Sequence, residues 1–236
     1  MNPLAVITGG SRGIGRALVE RFLAGGFDVV TCARTAESLE TLTREMTERF
    51  PTQRLWTHTV DPSQADDVAQ LVAAIHSLDR PVEVLVNNTG TFIPGHLHNE
   101  PEGVLEHTIE TNLYSAYRLT RGLIGRMMAE KRGYIVMMCS VASITPYTSG
   151  SAYSVSKYAL YGLTKVLREE MKPHGIKVTA ILPGATLTDS WMGAGLPAER
   201  FMKAEDIADI IWASCQLSQG AVVEDILLRP QLGDIV

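Results

Sequence analysis

Short apolar runs alternate with longer amphipathic stretches along the whole chain. The runs Leu4–Thr8, Asp28–Ala33, Arg54–Val60, Val82–Val86, Tyr134–Cys139, Lys177–Leu182 and Asp225–Leu228 predict strands. Apolar positions at helical spacing fill the gaps and predict helices over Ile14–Ala24, Ala36–Phe50, Ser63–Leu78, Pro101–Glu130, Ser151–Lys172 and Ala204–Cys215. Strands that are apolar almost throughout belong to a sheet covered on both faces. A strand–helix–strand rhythm makes that sheet parallel, because right-handed crossovers lay helices over it. The expected fold is α/β: a single doubly wound domain over residues 1–236, with a parallel sheet of about seven strands and helices on both faces. One segment breaks the rhythm. Pro183–Lys203 is rich in Gly, Pro and Thr and too long for an ordinary connection, so residues 185–203 read as a substrate lid, with Trp191 and Met192 as its apolar candidates for covering a ligand.

Composition narrows the class. The 236 residues are 45% hydrophobic and 20% charged, which suits one well-packed domain. A net charge of -5 without any Lys/Arg run argues against a nucleic-acid partner. Cys32, Cys139 and Cys215 lack metal-ligand spacing, and no metal is expected of His96 and His98, which lie two apart in a loop without a third ligand. The cysteine usage points to a reducing, cytoplasmic setting. No apolar stretch is long enough to span a membrane, and the N-terminus enters a strand without a targeting segment.

The chemistry concentrates in Ser151-Ala-Tyr-Ser-Val-Ser-Lys157. Tyr153 and Lys157 stand four residues apart, with Ser140 thirteen residues before the tyrosine. On a helix that spacing shares one face and brings the ammonium within a few ångströms of the phenol. A tyrosine with an ordinary pKa near ~10 exchanges protons poorly at neutral pH unless the value falls by roughly two to three units, or about 3–4 kcal/mol. One cation ~4 Å away supplies about 4 kcal/mol at an effective dielectric of ~20. The same spacing also describes a snorkelling surface pair, so the trio depends on what surrounds it.

What surrounds it begins directly after the first strand, where Thr8-Gly9-Gly10-Ser11-Arg12-Gly13-Ile14-Gly15 opens a helix. Glycines admit close approach of a ligand, and a helix N-terminus offers unpaired N–H groups to a pyrophosphate. A merely tight strand-to-helix connection is the plainer alternative. The position at the first βα junction favours a Rossmann-type cofactor loop, with Gly9, Ser11, Arg12, Gly13, Ile14 and Gly15 as candidate contacts.

Together with Asn87-Asn88-Thr89-Gly90, Asn112, Ser140, Tyr153-x-x-x-Lys157 and Pro183-Gly184, that loop makes the chain resemble the short-chain dehydrogenase/reductase family over nearly its whole length. The resemblance implies that Tyr153 is the general acid/base, giving a proton to a carbonyl oxygen as hydride arrives from a nicotinamide. Ser140 would orient the same oxygen. Lys157 would depress the tyrosine pKa and hold the nicotinamide ribose, and Asn112 would hold a water that links Lys157 to solvent. Asn112 also stands mid-helix, where asparagine is a poor helix former, and a local cost hints at a task. The resemblance further places Asn88 and Gly90 against the adenosine ribose, Asp61 at the adenine, and Pro183, Gly184 and Thr188 at the nicotinamide amide. A cap for the following helix, beside Pro62 and Ser63, is the less favoured reading of Asp61. Thr89 departs from the alanine usual in the family. The ending Val223–Asp234 is similar to sepiapterin-reductase-like members of the family.

An NAD enzyme of this fold places a carboxylate at the end of the second strand. Here Ala33 stands there and Arg34 follows, so Arg12 and Arg34 can bracket a 2′-phosphate, and NADP(H) is favoured over NAD(H). The expected activity is NADPH-dependent reduction of a ketone or aldehyde of medium size, walled by Phe92, Ile93, Ile144, Pro146, Tyr147, Trp191 and Met192. A non-catalytic NADP-binding sensor or scaffold on the same fold is the alternative, though it has no need of Ser140, Tyr153 and Lys157. The long helices Pro101–Glu130 and Ser151–Lys172 resemble those through which relatives form homodimers and homotetramers.

Overall fold

The computed structural model describes residues 1–191 and 195–235, so Met192 of the lid lies outside the described residues. Seven strands, β1 (Leu4–Thr8), β2 (Asp28–Ala33), β3 (Leu55–Thr59), β4 (Val84–Asn87), β5 (Gly133–Met138), β6 (Ile176–Pro183) and β7 (Asp225–Leu228), form one sheet in the order β3-β2-β1-β4-β5-β6-β7. Every neighbouring pair is parallel, with Ala5 beside Val84 and Val136 beside Thr179. The helices are α1 (Gly13–Ala24), α2 (Ala36–Arg49), α3 (Ala65–Ser77), α4 (Val104–Ile109), α5 (Ser115–Glu130), α6 (Ser151–Met171) and α7 (Ala204–Cys215).

Alternate residues of each strand feed two separate cores, as the period of a strand requires. Leu4, Val6, Leu85 and Ile135 pack with Leu71, Leu119 and Leu160 of α3, α5 and α6. Ala5, Ile7, Val84 and Val136 pack on the other face with Phe22, Leu42 and Ile207 of α1, α2 and α7. The strand order reverses at β1, so a crevice opens between the C-terminal ends of β1 and β4, where folds of this kind bind ligands.

One element departs from the sequence pattern. The helix expected over Pro101–Glu130 begins at Val104 and is divided by a π-helical turn over Glu110–Tyr114. Asn112 sits in that turn with no exposed surface. Its Oδ1 accepts from Thr91 N at 2.7 Å, and its Nδ2 donates to Thr91 O at 3.0 Å and Ser156 Oγ at 2.9 Å. The widened turn is the kind of helix defect that recurs at functional sites, and here tertiary hydrogen bonds hold it.

Candidate active site

The glycine loop shapes one end of the crevice. Gly9 has φ +70, a left-handed conformation that a side chain rarely adopts, and a Cβ on Gly15 would meet Gly9 O at 2.0 Å. These two positions let α1 begin hard against the end of β1. Its N-cap residue, Arg12, makes no side-chain capping bond, so the first N–H groups of α1 have no capping side chain and stand available to an anion. Across the crevice, Asn88 secures the end of β4 to β1: its backbone N donates to Thr8 Oγ1 at 2.9 Å and its Nδ2 to Thr8 O at 2.8 Å.

A cleft of about 940 Å³ runs from this loop to the C-terminal ends of β5 and β6. It is lined by Gly9, Ser11, Arg12, Gly13, Ile14 and Gly15 at one end and by Ser140, Tyr153 and Lys157 at the other. Arg34, Asp61, Asn88, Gly90, Pro183, Gly184 and Thr188 line it as well. That volume lies at the upper end of ligand pockets, ~300–1,000 Å³, and together with the uncapped α1 N-terminus it fits an extended dinucleotide. Ile93 and Ile144 of the expected substrate wall are outside the lining, and so is the catalytic candidate Asn112. It stands behind the wall, and a Cβ on Gly90 would lie 3.4 Å from its Oδ1 and 3.5 Å from Lys157 Nζ.

Three placements refine the sequence reading. Arg12 Nη1 meets Asp189 Oδ2 of the lid at 2.8 Å, so its partner is a carboxylate of this chain. Thr188 packs on the same loop, its Cγ2 3.0 Å from where a Cβ of Gly13 would stand. Asp61 does cap its neighbour: Oδ1 accepts from Ser63 N at 2.9 Å and Ser63 Oγ at 2.8 Å, and these bonds, with Arg34 and His107 nearby, hold the carboxyl below its ordinary value against the opposing effect of burial.

At the reactive end, Ser140 follows β5 and caps the short turn Val141–Ser143, its Oγ accepting from Ala142 N at 3.0 Å. Tyr153 and Lys157 occupy successive turns at the start of α6, with Lys157 Nζ 5.6 Å from the centre of the Tyr153 ring. Phe92 packs edge-on against that ring, centroids 5.1 Å apart. The electrostatics reverse the expectation from spacing. Tyr153 is pushed up to about 12, chiefly by burial, with the Ser140 hydrogen bond opposing. Lys157 is pushed down to about 8 by burial. Its ammonium donates to Met138 O, 2.7 Å away, and it is desolvation of the phenol that sets the upward direction of the Tyr153 shift.

Sequence reasoning also passed over residues that the fold brings here. Tyr147, assigned above only to the apolar wall, lines the cleft, and its ring lies parallel to that of Tyr153, centroids 6.5 Å apart with 10° between the planes. Asp234 and Ile235 of the C-terminal tail line the cleft, as do His107 and Thr111. No periodicity marks these positions; the only signal was that Asp189 directly follows Thr188 and Tyr147 lies within a predicted wall loop.

Comparison with known proteins agrees with this fold. The family model described as short chain dehydrogenase matches residues 3–197. The sepiapterin reductase of Chlorobaculum tepidum is 32% identical over 244 residues, covering 100% of this chain and 99% of that protein. Other relatives are longer: dehydrogenase/reductase SDR family member 7B of Bos taurus is 32% identical over 82% of this chain, which spans 61% of its length. Among solved structures, a metagenomic short-chain oxidoreductase in complex with NADP superposes with a TM-score of 0.85 at 30% identity, covering 97% of each chain.

Proposed function

The chain belongs to the short-chain dehydrogenase family, and on that footing we propose that it is an NADPH-dependent oxidoreductase reducing a ketone or aldehyde to an alcohol, with Tyr153 as proton donor. The observation that carries this reading is the single cleft joining the α1 N-terminus and Arg34 to Ser140, Tyr153 and Lys157. A relative bound to NADP, and Arg34 in the position after Ala33, support the phosphorylated cofactor. The reductase name of the Chlorobaculum tepidum relative supports the carbonyl-reducing direction.

Gly9–Gly15 and the α1 N-terminus would hold the pyrophosphate, Arg34 a 2′-phosphate, Lys157 the ribose hydroxyls, and Pro183, Gly184 and Thr188 the nicotinamide amide. When bound, the reduced nicotinamide supplies a hydride to the carbonyl carbon. As the C=O electron pair moves onto oxygen, Tyr153 Oη releases its proton to that oxygen and Ser140 stabilises the phenolate left behind. A phenol pushed up to about 12 stays protonated at neutral pH, so the acid is ready. Its release is driven by the alkoxide oxygen that hydride transfer creates, a stronger base than the phenolate, while Lys157 carries its charge below about pH 8. Asn112 fixes Thr91 and Ser156 around this pair and stands where a relay from Lys157 toward solvent would begin. Lid residues 185–203 exclude water on closing. Exposed Tyr117 on α5 and Tyr158 and Val166 on α6 support assembly as a homodimer or homotetramer.

The test is a panel of benzaldehyde, acetophenone, diacetyl, sepiapterin and a ketosteroid, with NADPH and NADH. Tyr153→Phe is expected to lose roughly 10²–10⁴-fold in kcat while retaining NADPH binding. Undiminished reduction by that variant sinks the mechanism, and NADPH binding without turnover by the wild type favours a sensor. Arg34→Ala should raise KM for NADPH roughly tenfold, one charge-assisted hydrogen bond, with little change for NADH; equal effects remove Arg34 from the phosphate site.

A further inference from the structure

The glycine loop and the lid are joined at the mouth of the cleft. Arg12 Nη1 donates to Asp189 Oδ2 at 2.8 Å, between residues 177 positions apart in the chain. Beside this pair, Thr188 Cγ2 lies 3.0 Å from where a Cβ of Gly13 would stand, so the lid packs closely on the first turn of α1. All four residues line the cleft. The lid segment that carries Asp189 is itself pinned. Leu187 N donates to Met202 O at 2.8 Å, Met202 N to Ala185 O at 3.0 Å and Trp191 N to Thr188 O at 3.0 Å. The Trp191 ring packs on Phe201 with centroids 5.4 Å apart. Asp189 is therefore presented to Arg12 from a braced turn.

The position of the pair decides what it can do. With a pyrophosphate at the α1 N-terminus and a nicotinamide amide at Pro183, Gly184 and Thr188, a dinucleotide joining the two passes between the loop and the lid, beside Arg12 and Asp189. The two side chains are 64% and 50% exposed, so water reaches them and the contact can open and re-form. The cation that sequence spacing offered to a 2′-phosphate is thus engaged by a carboxylate of the lid, and Arg34 is left for the phosphate.

We propose that Arg12 and Asp189 form a clasp that keeps the dinucleotide in the cleft: Asp189 is a positioning residue that draws Arg12 to the lid, and the closed pair slows release of the cofactor. The clasp rests on the reading of the cleft as a nicotinamide-cofactor site. Because it ties loop to lid and holds no group peculiar to the phosphorylated cofactor, it retains NADPH and NADH alike. An Arg12 that gripped the 2′-phosphate would serve NADPH alone. Asp189 would then compete with that phosphate, and removing its charge would tighten NADPH binding.

The experiment measures cofactor release by stopped flow on the full chain. Protein loaded with NADPH or NADH is mixed with excess NADP+, and loss of the bound nicotinamide fluorescence is followed for wild type, Arg12→Gln, Asp189→Asn and the double variant. Each single substitution is expected to speed release about threefold for both cofactors, the scale of one exposed ion pair, with Tm unchanged. The double variant is expected to release no faster than either single, because one contact is lost in all three. Wild-type release in either single variant, an Arg12→Gln effect confined to NADPH, slower NADPH release in Asp189→Asn, or effects that add in the double variant overturn the clasp. A fall in Tm that parallels faster release reduces the pair to a support of the fold and overturns it too. A wild type that shows this control of release yet reduces no panel carbonyl removes the reductase reading and leaves the clasp standing, whereas one that binds neither cofactor overturns both.

Discussion

The two ends of the sheet treat a buried cation differently. At the N-terminal end, Arg80 Nη1 meets Asp28 Oδ2 at 2.8 Å, with side chains only 9% and 5% exposed. The other carboxylate oxygen accepts from Asn2 Nδ2 at 3.0 Å and Arg54 N at 2.8 Å, and Arg80 also donates to Asn2 O. At the C-terminal end, Lys157 is 3% exposed, and among the described residues it reaches only a backbone carbonyl, Met138 O. One cation is neutralised and saturated with hydrogen bonds; the other is desolvated without a carboxylate. Burying charge in the second manner costs stability, and a fold retains such a group where its remaining N–H groups face a cleft and have work to do.

The contrast breaks most readily by substitution. Asp28→Asn leaves Arg80 buried and uncompensated, so unfolding in denaturant is expected to show a loss of about 3–5 kcal/mol while kcat per folded molecule stays unchanged. Lys157→Met is expected to do the reverse, with stability at neutral pH equal to or above the wild type and turnover abolished. If both variants lose the same stability, the two cations are equivalent supports and the distinction fails.

What the chain reveals about itself follows the same division. Local pattern suffices for the strands, because Val29–Cys32 and Ile135–Met138 are apolar on both faces and nothing but a covered sheet accommodates them. The residues proposed for the cofactor and the reacting end, such as Gly13, Ser140 and Tyr153, are legible because their spacing within one loop or helix turn is itself the geometry. Relations across the fold are not. The π-helical turn at Asn112 depends on Thr91 and Ser156, and the lid contact of Arg12 lies 177 residues away in Asp189. The Tyr153 pKa is the instructive case. Spacing to Lys157 was legible, but the burial that raises the phenol is built by residues of other segments such as Phe92, so the electrostatic consequence was not.

Proton linkage gives the finer test of the two cations. Lys157 falls from 10.5 to about 8 on folding. Below about pH 8 the folded and unfolded chains both hold its proton and the burial penalty is constant. Between about 8 and 10.5 only the unfolded chain holds it, so stability rises with pH. At ~1.36 kcal/mol per pH unit, the full rise is roughly 3 kcal/mol. Tyr153 acts oppositely: its folded pKa of about 12 lies above its ordinary 10.0, and its contribution is lost as pH climbs past 10. The difference in unfolding free energy between wild type and Lys157→Met should therefore climb from pH 8 to 10, where Tyr153 does not yet interfere. Asp28 provides the counterpart at the acid end. Burial raises its pKa, yet the hydrogen bonds of Asn2, Arg54 and Arg80 more than offset this and hold it below 3.8, so its contribution is present at neutral pH and is lost only as pH falls through that lowered value. A flat alkaline difference curve would return Lys157 to an ordinary charged state and remove the asymmetry between the two ends of the sheet.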